Sequence, residues 1–130
     1  MPERAAAAAE LVLVVDDNEQ NSKLVCDVLQ FAGMRTLSAA TALEGITLAS
    51  EHRPDIVLMD IRLPDLDGIE AARRLREDER TRRIPLIAMS ALRQEDAGVW
   101  LHTAGFDGYI EKPIDVRELP GQVRGYCASG

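Results

Sequence analysis

Three stretches of this chain are apolar without interruption: Leu11-Val-Leu-Val-Val15, Ile56-Val-Leu-Met59 and Pro85-Leu-Ile-Ala-Met89. Short runs of this kind with β-branched members are the pattern of strands buried on both faces. Arg35-Thr-Leu-Ser38 and Gly108-Tyr-Ile110 predict two weaker strands. Helical spacing fills the intervals. Asn18 can cap a helix through about Ala32 with Val25, Val28, Leu29 and Ala32 on one face, and Gly33 ends it. Thr41 can cap a helix carrying Leu43, Ile46, Thr47 and Ser50, before Pro54-Asp55 breaks the chain. Arg62 to Gly68 has the Pro, Asp and Gly content of a turn, and Ile69 to about Glu77 is helical again. A further helix runs from the Ser90-Ala-Leu loop to about Ala104, where Gly105 stops it. Asp115 and Glu118 have capping-box character for a last helix, which Pro120 should kink or delay.

Strands and helices alternate with no internal repeat and no linker. That predicts one doubly wound α/β domain, with right-handed crossovers placing helices on both faces of a parallel sheet. Functional groups in such sheets gather beyond the carboxyl ends of the strands. Asp16-Asp17, Asp60, Ser90 and Lys112 each fall there, after four different strands. Three converging carboxylates repel one another, and a hard divalent cation with a fixed ammonium would resolve the conflict. The arrangement points to chemistry on phosphate.

Composition narrows the picture further. At 130 residues and 4% aromatic content, the chain predicts a single domain with an aliphatic core. A formal charge of -7, with no long basic stripe free of acids, argues against nucleic acid or an anionic membrane as partner. Arg73, Arg74, Arg76, Arg80, Arg82 and Arg83 are interleaved with Glu77, Asp78 and Glu79 and read as a solvated helix end and loop. Cys26 and Cys127, in no metal-ligand spacing, read as reduced thiols in a cytoplasmic protein. Residues 1–10 read as a disordered alanine-rich tail, 11–127 as the domain and 128–130 as a C-terminal tail. Lys112 stands out because Lys23 is the only other lysine among the basic residues; a compact ammonium in place of Arg suggests a specific requirement.

From about Leu11 to Tyr126 the chain resembles the receiver domains of two-component response regulators, the family of the chemotaxis regulator. The resemblance is carried by Val-Val-Asp-Asp-Asn, Leu-Met-Asp-Ile-Arg-Leu-Pro-Asp-Leu-Asp-Gly, Met-Ser-Ala and Gly-Tyr-Ile-Glu-Lys-Pro, in order and after successive strands. It implies a flavodoxin-like (βα)5 three-layer sandwich with strand order 2-1-3-4-5. It implies Asp60 as phosphoacceptor and Asp16, Asp17 and Asp60 with the Arg62 backbone carbonyl as ligands of magnesium or manganese, Asp16 through water. Lys112 would be the pocket ammonium, set by a cis peptide before Pro113, and Ser90 and Tyr109 the switch pair. Arg62 and Leu92 match positions that tune phosphoryl lifetime; Leu92 cannot orient a water, which predicts slow self-dephosphorylation.

The expected function is that of a receiver taking phosphate from a sensor histidine kinase or histidine phosphotransfer protein, similar to stand-alone single-domain cell-division regulators. It would signal by protein binding through the face made by the fourth helix, fifth strand and fifth helix. It is expected to be no metabolic enzyme, taking part only in its own phosphotransfer and dephosphorylation. A receiver excised from a hybrid kinase, or a phosphate shuttle, is the near alternative. A magnesium-dependent aspartyl-phosphate phosphohydrolase is the distant one, but the position two after the nucleophile, an aspartate in such enzymes, is Arg62. A flavin-phosphate carrier would meet repulsion from the acidic triad. His52 and His102 read as surface residues, and Trp100 as either a core-edge residue or a partner anchor.

Overall fold

The computed structural model describes residues 9–91 and 102–129. Five parallel strands form one sheet: β1 (Leu11–Val15), β2 (Arg35–Ala39), β3 (Ile56–Asp60), β4 (Leu86–Ser90) and β5 (Gly108–Glu111). Their order is β2-β1-β3-β4-β5, as the resemblance implied. The helices are α1 (Glu19–Phe31), α2 (Ala42–His52), α3 (Gly68–Glu77), α4 (described at residues 102–104) and α5 (Leu119–Ser129). None of the described helices is long and apolar enough to cross a membrane.

Alternation along the strands sorts the apolar side chains into two cores. Leu13 and Val15 of β1 join Ala42, Ala49, Ala71, Ala72 and Leu75 beneath α2 and α3. Val12 and Val14 join Val25, Leu29, Leu119 and Val123 beneath α1 and α5. Continuous apolar strands are thus buried on both faces, which produces three layers. Strand direction sends every strand's last residue to the same edge.

Capping sets the helix ends. Asn18 Oδ1 accepts the Asn21 N–H at 2.9 Å and opens α1. At the far end Gly33 N–H reaches Gln30 O and Met34 N–H reaches Leu29 O, and Gly33 takes the positive φ of 95° that this closing turn requires. Helix α5 begins late, as Pro120 suggested, with Asp115 O accepting the Glu118 and Leu119 N–H groups ahead of it. It continues through Ser129, into residues assigned to a tail from sequence. Glu10, assigned to the other tail, accepts the Arg35 N–H through its carbonyl.

Two expectations are corrected. Helix α2 buries Ala42, Gly45 and Ala49, while Leu43 is exposed. Close approach selects small residues there, since a Cβ at Gly45 would sit 2.7 Å from Val15 Cγ2. Arg76 is not part of a solvated helix end. Its guanidinium donates to the Gly105, Arg82 and Ile84 carbonyls at 2.8–2.9 Å and pairs with Asp107. Its neighbours Arg73 and Arg74 do follow the expectation, pairing with Glu70 on the exposed face of α3. Leu92 and Trp100 lie outside the described residues.

Candidate functional site: an acidic pocket at the carboxyl edge of the sheet

Strands β1 and β3 are neighbours, so Asp16, directly after β1, and Asp60, the last residue of β3, emerge side by side. Asp17 follows. Oxygens from these three carboxylates all lie within 4.8 Å of one another. Asp16 is 2% and Asp60 9% exposed, whereas Asp17 faces solvent. Water therefore screens the two inner charges poorly.

Lys112 follows β5, and its peptide bond to Pro113 is cis. Its Nζ donates to Asp60 Oδ2 at 2.8 Å and to Asp16 Oδ2 at 3.4 Å. Burial pulls the ammonium's pKa down, but the hydrogen bond and charge of Asp60, with Asp16 behind it, outweigh that and hold it above the ordinary lysine value. The ammonium therefore stays charged. Backbone and amide donors complete the cradle: Arg62 N–H donates to Asp60 Oδ1 at 2.9 Å, Asn18 N–H donates to Asp16 Oδ1 at 2.9 Å, and Asn21 Nδ2 donates to Asp16 Oδ2. The donors fix where each carboxylate points. An oxygen-only cluster of three carboxylates, two of them buried, fits a hard divalent cation such as magnesium.

The next strands bring the hydroxyl pair. Ser90, buried at the end of β4, accepts the Lys112 N–H at 2.7 Å and the Tyr109 Oη–H at 3.3 Å, both through its carbonyl oxygen. Tyr109 is half-buried on β5. Asp16, Asp17, Asp60, Lys112, Ser90 and Arg62 thus share one edge of the sheet, with the Arg62 side chain exposed. His52 and His102 are exposed and stand apart from it.

Two contributors were not singled out from sequence. Asn21 is one turn into α1, and only the fold brings its amide to Asp16. Asp65 was read only as part of a turn, yet it accepts the Ala42 and Leu43 N–H groups from the start of α2. Neither contact leaves a mark in local residue spacing.

Comparison with known proteins agrees with this geometry. Residues 12–124 match the family described as response regulator receiver domain. The polar-differentiation response regulator DivK of Brucella anthropi is 38% identical over 115 residues, a match that covers 88% of this chain and 94% of that protein. The receiver domain of a sensor histidine kinase from Pseudomonas aeruginosa PAO1, solved with a magnesium ion coordinated in its active-site cleft, is 32% identical with a TM-score of 0.84, covering 93% of this chain and 99% of that one. The chemotaxis response regulator CheY4 of Vibrio cholerae reaches a TM-score of 0.86 at 23% identity, covering 92% of this chain and 99% of that one, and bears on the fold alone.

Proposed function

The chain belongs to the response regulator receiver domain family, and from that premise we propose that it accepts a phosphoryl group on Asp60 and signals through phosphorylation-dependent binding to another protein. Phosphorylation on aspartate is the general property of the family, and a kinase or phosphotransfer protein is the partner class that it implies. The observation that carries the assignment to Asp60 is its place: buried, with Lys112 Nζ at 2.8 Å, inside a cluster of three carboxylates.

In the transfer, an Asp60 oxygen attacks the phosphorus of a donor phosphohistidine. A P–O bond forms as the P–N bond breaks, and the histidine nitrogen leaves with the bonding pair and takes up a proton. Asp16, Asp17, Asp60 and the Arg62 backbone carbonyl would hold magnesium or manganese, as the magnesium in the Pseudomonas receiver supports for this fold. When bound, the ion would supply positive charge that offsets the negative charge of the nucleophile and the phosphoryl group. Lys112 supplies a second positive charge, at Asp60 Oδ2. The Arg62 N–H holds the other Asp60 oxygen and so orients the nucleophile.

Once formed, the aspartyl phosphate adds negative charge and acceptor oxygens at the end of β3. The Ser90 hydroxyl is the nearby donor for one of those oxygens, and Tyr109, bonded to the same residue, is the element that reports the change to β5. We assign output to the face formed by α4, β5 and α5. The product is a conformation and not a released compound.

The test is incubation with a phosphorylated histidine kinase or a small phosphodonor and magnesium, read by intact mass. The expected result is one phosphoryl group on the native chain and none on Asp60→Asn. Equal labelling of both would sink the assignment. A second reading, an intermediate that passes phosphate onward, is favoured by the likeness to receiver domains of histidine kinases. Loss of the label to a histidine phosphotransfer protein would support it, and retention would support a terminal regulator.

A further inference from the structure

We propose that Asp65 is a positioning residue for the phosphoryl-accepting pocket, acting by fastening the loop between Asp60 and Gly68 to the first turn of α2. This rests on the reading of the pocket given above. Asp65 uses both oxygens: Oδ1 accepts the Ala42 N–H and Oδ2 the Leu43 N–H, each at 2.9 Å. These are two of the four amides that an α-helix leaves without an internal partner. The helix's own cap, Thr41, reaches only the Glu44 N–H, at 3.1 Å. A residue 22–23 positions further along the chain therefore completes the cap. The Leu43 N–H, with that of Ala42 in support, holds the Asp65 carboxyl below the ordinary carboxylate range against an opposing loss of hydration.

The rest of the loop is tied mainly to itself and to α3. Gly68 N–H returns to Ile61 O at 3.0 Å, Arg62 and Asp67 form an antiparallel bridge, and Asp67 caps α3 through the Glu70 N–H at 2.8 Å. Leu63 and Leu66 pack on the core edge, which favours burial but does not fix direction. The Asp65 bonds give the exposed tip a directional tie to a different element. Arg62 lies between that tip and Asp60, with its N–H on the acceptor carboxylate and its carbonyl assigned to the metal. Release of the tip would leave the Arg62 peptide held only by its bridge to Asp67, loosening both contacts.

Coupling of this kind is reciprocal. If the cap holds Arg62 in place for the cation, then cation binding must tighten the cap. Amide hydrogen exchange at Ala42 and Leu43, measured on the whole chain with and without magnesium, reads this directly. Magnesium should slow exchange at both amides several-fold in the native chain. Asp65→Ala should abolish that slowing and weaken magnesium binding by about tenfold in calorimetry, the range seen for groups that orient metal ligands. Asp65→Asn, which keeps one acceptor oxygen, should fall between, and it carries the comparison should the alanine variant unfold. A cap that serves stability alone would give faster exchange by the same factor with and without magnesium, at unchanged magnesium affinity, and that result overturns the proposal. Asp17→Asn separates the two levels. Magnesium bound by the native chain, lost in Asp17→Asn and uncoupled from Ala42 and Leu43 sinks only the role of Asp65. A native chain that binds no magnesium sinks the pocket reading as well.

Discussion

The two edges of the sheet carry the same acidic residue to opposite outcomes. At the N-terminal edge Asp55 accepts the Leu11 N–H at 2.7 Å, and Asp107 accepts the Leu86 N–H at 2.8 Å together with the Arg76 guanidinium. Each carboxylate joins a loop to the first residue of a strand. At the C-terminal edge Asp16, Asp17 and Asp60 crowd within 4.8 Å and meet one ammonium, that of Lys112. Two unit charges at that distance repel by roughly 3 kcal/mol at the effective dielectric typical of protein sites. The first edge is closed by partners within the chain. Among the described residues the second keeps three negative charges against one ammonium, which leaves room for a further cation. A carboxylate matched by its own partners becomes a joint, whereas three that share one ammonium make a candidate receptor for a further cation.

That contrast can be broken from the stable side. Arg76 joins α3, the segment before β4 and the segment before β5, through three carbonyls and Asp107. Arg76→Ala strands those acceptors, and the expected cost is about 3 kcal/mol of unfolding free energy in a urea titration, discounted from the value for a fully buried charge network because the head is partly wet. Below its melting temperature the variant should still accept phosphate on Asp60. Equal loss of stability and of phosphate acceptance would mean that the two edges are one cooperative unit.

The same contrast explains what could be read before the fold was known. Strand positions, the carboxylates and the amine were legible because apolar runs and the residues ending them are local features: Leu11–Val15 with Asp16, Ile56–Met59 with Asp60, and Lys112 before Pro113; strand order was legible only through the family resemblance. The joints were not. Arg76 looks like any arginine in a charged segment until its acceptors, 6–31 residues away in the chain, are brought to it. Asp65 looks like a turn residue until α2 arrives. Of the positions expected on α2, Ile46 does pack on the core but Leu43 is exposed, because the approach of Gly45 to Val15 demands the smallest residue there and periodicity alone does not show it. The candidate site was written in residue types at strand ends, and the joints in long-range geometry.

From the receptor side, Asp17→Asn should have the reverse signature of Arg76→Ala. Asp17 is the exposed member of the cluster, and no bond to Lys112 is lost with its charge. Neutralising it removes repulsion from both inner carboxylates. Stability without magnesium should therefore rise by up to about 1 kcal/mol, less than the bare Coulomb figure because water screens an exposed charge. Magnesium should no longer stabilise the variant, so the melting temperatures of native and variant chains should cross as magnesium is added. A variant less stable at every magnesium concentration would show that Asp17 is held by contacts and is not under electrostatic strain.

The smallest effect probes how completely the N-terminal edge is neutralised. Cys127 lies in the cleft there with Glu10 and Asp55. Burial pushes its thiol up, the Asp55 and Glu10 charges push further and Arg124 opposes them, leaving a pKa of about 11 against an ordinary 9.0. The unfolded chain thus releases this proton before the folded one. The associated stability is fully present below pH 9 and lost as pH rises towards about 11. Because the thiol is partly exposed, the loss should stay below about 1 kcal/mol. Urea midpoints at pH 8 and 10.5 for the native chain and Cys127→Ala isolate it, since lysine and tyrosine titration cancels in the difference. Asp55→Asn should shrink the alkaline loss and end it at a lower pH, its onset near pH 9 unchanged, by removing one of the charges that raise the folded thiol. An undiminished loss would mean that the Leu11 N–H already quenches the Asp55 charge, making this edge electrically quieter than its residue types suggest.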